Sequence, residues 1–169
     1  MANQTKITIN LEGLDNIRAA AGQKWYAKVG ILGGSKNARA VFNKERVGSG
    51  DIDNVSLGVI HEFGSLSRGI PARSFLREPL ESHKNEIMQF MKSPKVAEMI
   101  LNGQFKSVFQ WLGLIGEGIV QRAFATRGFG KWAPNAPETI KQKGSSAPLI
   151  DTGQLRKSIT SEAAKYEKS

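Results

Sequence analysis

The chain has 169 residues and no cysteine, with 24 Lys+Arg against 15 Asp+Glu and a formal net charge of +9, for a pI near 9.9. That length suits one domain with its own core, of radius of gyration roughly 15 Å, and the missing cysteine excludes disulfides, thiolate metal sites and cysteine nucleophiles. The basic excess favours an anionic partner, whether nucleic acid, anionic lipid or an acidic protein face, without choosing among them.

Met1 to Asn10 lacks the continuous apolar run of a signal peptide, so a soluble protein made inside the cell is expected. Lys6 to Leu11 alternates polar and apolar, which predicts a strand at about 5–11. Leu14, Ile17 and Arg18 shift to helical spacing that lasts to Gly22, and Trp25 to Leu32 reads as a second strand at about 26–32. Residues 33–54 hold no sustained period and are predicted as a long flexible loop. A loop of that length is either a bare insertion or a segment that orders against a partner subunit, and it carries Lys36, Arg39, Phe42, Lys44 and Arg46.

Leu57, Ile60 and Phe63 recur three apart in a short helix closed by Gly64, and Ile70-Pro71-Ala72-Arg73 should be extended because proline disfavours helix before it. Ser74 is expected to cap a helix whose body runs from Pro79 to Lys92, with Leu80, Ile87, Met88 and Met91 inward. Ser93-Pro94 opens a further helix that stops at Asn102-Gly103. The longest helical pattern covers about 104–126, with Phe105, Val108, Phe109, Leu112, Ile115, Ile119 and Ala123 in one stripe. Trp111, Leu114 and Phe124 extend its apolar surface to another side, so the helix is either central to the domain or meets another subunit there. Its most apolar part, Val108 to Val120, is too short to span a bilayer. Gly113, Gly116 and Gly118 imply close backbone approach by a neighbour, or a kink. Beyond Gly128, proline and glycine divide the chain into short pieces. A helical turn is expected at Pro137 to Lys143, another through Leu155 and Arg156 capped by Asp151 or Thr152, a strand from Ile159, and a frayed terminus at about 162–169.

Catalytic signatures are missing. His61-Glu62 opens a zincin motif, but Ser65 stands where its second histidine belongs. Gly30 to Asn37 fails the phosphate-loop pattern, and the scattered carboxylates give no acid/base pair. No cofactor or metal site is expected. Arg127-Gly128-Phe129-Gly130-Lys131-Trp132 interleaves bases, glycines and aromatics, as a loop that stacks on nucleic acid does. Trp132 serves equally as a core plug pinning an irregular segment.

Several strings together resemble tailed-phage virion-morphogenesis proteins, the tail-completion or neck components that join head to tail. They are Val29-Gly30-Ile31-Leu32, His61-Glu62-Phe63-Gly64, Ile70 to Arg77, Trp132-Ala133-Pro134 with Thr139 and Lys143, and Pro148 to Ile159. Their order and spacing cover about residues 25–160. Gly58 departs from the pattern, standing where a small helix former is commoner.

The resemblance implies a single α+β domain over 1–169, a small, mostly antiparallel sheet packed by several helices around the long 104–126 helix. It implies a non-enzymatic virion part that forms a homo-oligomeric ring, a hexamer in such proteins, at the head–tail junction after synthesis in the host bacterial cytoplasm. Its partners would be head connector or stopper proteins and tail tube or terminator proteins, with genomic DNA passing through and no membrane. Tail terminator and minor tail protein are the alternatives within the virion, and a basic nucleic-acid-binding module the alternative outside it. On this reading Arg73, Phe75, Leu76, Arg77, Trp111, Leu114 and Arg156 make subunit or ring contacts. The arginines beside Phe75 and Leu76 suit bidentate pairing with carboxylates, or else form a solvated face. The 33–54 loop docks on an adjoining ring, and Arg127, Lys131 and Trp132 face or stack on DNA.

Overall fold

A computed structural model of the protein describes residues 12–32, 53–149 and 153–166. The strand expected at 5–11, the 33–52 part of the loop and the caps Asp151 and Thr152 lie outside these. The described residues form an α+β architecture of eight helices and a two-stranded antiparallel sheet, with one long helix packed against the sheet.

Helix α1, Glu12–Ala21, begins with Glu12 and Asp15 and ends near Arg18, charges that suit the two ends of the helix dipole. Strand β1, Trp25–Ile31, pairs antiparallel with β2, Ile159–Lys165, from Trp25 opposite Lys165 to Ile31 opposite Ile159. The terminus frayed in the expectation at 162–169 is therefore strand as far as Lys165, and the Tyr166 N–H still donates to the Lys24 carbonyl at 2.7 Å. Ladder pairing with β1 holds Glu162 to Lys165, a Glu-Ala-Ala-Lys segment with no β-branched or aromatic residue of its own.

Between the strands in sequence lie α2 (Asn54–Phe63), α3 (Arg77–Ser82), α4 (Lys84–Met91), α5 (Pro94–Leu101), α6 (Phe105–Ala125), α7 (Pro137–Lys143) and α8 (Gln154–Lys157). Asp53 caps α2 by accepting the Ser56 N–H at 2.6 Å, and Ser93 caps α5 by accepting that of Val96 at 3.4 Å. The single helix expected over Pro79 to Lys92 is interrupted at His83. There the ring packs 4.4 Å from Phe129, and Nδ1 lies 2.9 Å from the Pro79 carbonyl oxygen, contacts that compete with a continuous helix. Met88, expected inward, is exposed, as is Phe63. At 3.6 residues per turn Phe63 stands about 120° round α2 from Leu57, while Asn54, Gly58 and Glu62 form the buried face.

The 21-residue α6 crosses one face of the sheet. Gly113 and Gly116 permit this contact, since a Cβ on Gly113 would sit 3.0 Å from Ser161 Cβ and one on Gly116 2.9 Å from Val29 Cγ2. Gly118 faces open space, so the close-approach reading fits two of the three glycines. The main core gathers Phe75, Val120, Ala123, Phe124, Trp132, Leu149, Leu155 and Ile159, and a smaller cluster of Val96, Met99 and Val108 lies beneath α5. No helix among the described residues is long and apolar enough to cross a membrane.

Candidate interaction surface

Three of the strings singled out in the sequence, His61 to Gly64, Ile70 to Arg77 and Trp132 to Pro134, meet in one place. Glu62, on the last turn of α2 and buried, receives four hydrogen bonds from the segment that leads into α3. Its Oε1 accepts Ser74 Oγ–H at 2.6 Å and the Arg77 N–H at 3.1 Å, and its Oε2 accepts the Phe75 and Leu76 N–H groups at 2.8 and 3.0 Å. Three consecutive backbone donors that would otherwise be buried without partners are satisfied by one carboxylate. Ser74 Oγ in turn accepts the Glu78 N–H at 3.0 Å, as expected of a residue that starts this helix.

Arg73 extends the same junction. Its N–H donates to the His61 carbonyl at 2.7 Å, while Nε and Nη2 donate to the carbonyls of Ala133 and Pro134 at 2.8 and 2.9 Å. The guanidinium fork spans two successive carbonyls, a task suited to its planar geometry. Desolvation by burial lowers the Arg73 pKa from its ordinary value, yet an arginine starts high enough to stay charged.

Trp132 closes the junction. Its Nε1–H donates to the Ser74 carbonyl at 2.9 Å, and its ring meets Phe124 edge-on at 5.6 Å. Residues 127 to 130 all have positive φ, between 54° and 81°, so the chain turns tightly between α6 and Trp132. At Gly128 a Cβ would overlap the indole. Ile31 lies against Gly58, Leu76 against Gly30, and Leu155 packs in the same core.

This arrangement revises several expected contacts. Arg73 and Phe75, expected at a subunit boundary, are 6% and 0% exposed, and the partners of Arg73 are backbone carbonyls within the chain, not carboxylates and not solvent. Trp132 is 8% exposed and hydrogen-bonded, which removes its face from base stacking. Leu76 is half-buried against the core. Arg156 is half-buried too, its Nε donating to Gln121 Oε1 at 2.8 Å while Gln121 Nε2 donates to the Arg156 carbonyl at 3.0 Å. Arg77, Arg127 and Lys131 are exposed. Lys36, Arg39, Phe42, Lys44 and Arg46 lie outside the described residues.

Trp111 and Leu114 do present themselves outward, 45% and 54% exposed. They line an open groove of about 630 Å³ between the first half of α6 and β2, with Ser161, Glu162 and Ala163 opposite and Lys106 at its margin. Lys95 Nζ lies 4.6 Å from the centre of the Trp111 ring, a cation–π contact. A second apolar surface follows α2, where Val55, Val59 and Phe63 are exposed and the following turn carries Leu66. Sequence reading missed both Glu62 and this surface. Helical spacing of Val55, Val59 and Phe63 was the available signal, since positions four apart share a face.

Among the described residues no three His, Asp or Glu side chains converge as metal ligands. The geometry defines an α+β domain with a hydrogen-bonded internal junction and two exposed apolar surfaces. No protein-family model, curated protein or solved structure matches the chain.

Proposed function

We propose that this protein is a non-enzymatic, ring-forming structural component of a tailed-phage virion, a tail-completion or neck protein that joins the head connector to the tail. The observation that carries the reading is the convergence of the strings behind the family resemblance. His61 to Gly64, Ile70 to Arg77 and Trp132 to Pro134 are joined by the bonds of Glu62, Arg73 and Trp132, so three of the strings meet at one junction, which supports reading them together. The side chains of Glu62, Arg73, Ser74 and Trp132 are occupied in holding the backbone. The exposed apolar residues lie elsewhere, in patches of the kind that mark protein–protein contact.

In this role the chain is made in the bacterial cytoplasm and acts at the head–tail junction as a ring, six copies by resemblance. A nucleic-acid-binding module is disfavoured by the burial of Trp132. The test places a stop codon in this reading frame within the genome that encodes it. Micrographs should then show DNA-filled heads and separate tails, with joining restored by the gene supplied in trans. Infectious, fully joined particles lacking the product would refute the proposal, and heads joined to tails of uncontrolled length would reassign it to a tail terminator.

A further inference from the structure

We draw no further inference here: the strongest candidate, the open groove between the first half of α6 and β2 where Trp111 and Leu114 stand exposed, carries none because nothing in the structure shows what covers it.

Discussion

Ser74 Oγ–H donates to the Glu62 carboxylate at 2.6 Å across twelve residues of chain, and the same carboxylate takes the next three backbone N–H groups. One acidic side chain thus ties the last turn of α2 to the start of α3. Glu62→Gln keeps the shape but turns an NH₂ group toward N–H donors, and should cost about 1.5–3 kcal/mol. Glu62→Ala orphans every donor and should cost about 3 kcal/mol or more. Urea unfolding measures both, and two variants within about 0.5 kcal/mol of the parent would show the junction to be energetically idle.

Trp132 is buried as a plug, and stability separates that role from stacking on nucleic acid. Trp132→Phe loses the Nε1–H bond to the Ser74 carbonyl and should cost about 1–3 kcal/mol. Trp132→Ala should cost about 3–5 kcal/mol by opening a cavity beside Phe124. Binding of single-stranded DNA at low salt should be the same for the parent and Trp132→Phe. A selective loss of that binding in a folded variant would return Trp132 to the surface.

The three glycines of α6 should respond differently to alanine. Gly118→Ala meets nothing and should stabilise by up to about 1 kcal/mol, because alanine is the better helix former. Gly116→Ala and Gly113→Ala press on Val29 and Ser161 and should destabilise by about 1–3 kcal/mol as the sheet is pushed away. Thermal melts that rank all three alike would contradict the packing of α6 on β1 and β2.

Asp53 supplies a pH dependence of known sign. The Ser56 backbone N–H favours its charged form and lowers its pKa from the ordinary 3.8. The folded group takes up its proton at lower pH than the unfolded one does, so the contribution of the cap is complete above the unfolded value. It is lost as pH falls through the folded value. An NMR titration of the carboxyl carbon should place the midpoint below 3.8, and Asp53→Asn should keep the cap without the titration. A midpoint at or above the ordinary value would mean that the cap bond is not formed in solution.

Local signals in this chain were legible where one physical cause dominates. Ser93-Pro94 and Gly64 set helix ends through backbone chemistry that neighbours do not alter, and α5 and α2 begin and end there. The apolar period over 104–126 marked α6 within a residue at each end, since a buried helix must repeat its contacts every turn. His83 resisted such reading because its break depends on Phe129, forty-six residues away. The strand at 162–165 depends likewise on β1, since Glu-Ala-Ala-Lys carries no β-branched or aromatic residue to mark it as strand.

The candidate surfaces divide in the same way. Amino-acid order alone determined the long helix and its two apolar sides, because both follow from periodicity within one element; that Trp111 and Leu114 face outward while Phe124 is buried was decided by packing. Tertiary structure decided that Arg73, Phe75 and Trp132 turn inward, and that Glu62 organises the junction. A buried arginine and a solvated one have the same neighbours in sequence. What separates them is whether carbonyls such as those of Ala133 and Pro134 arrive to accept the guanidinium, and that depends on how distant segments pack.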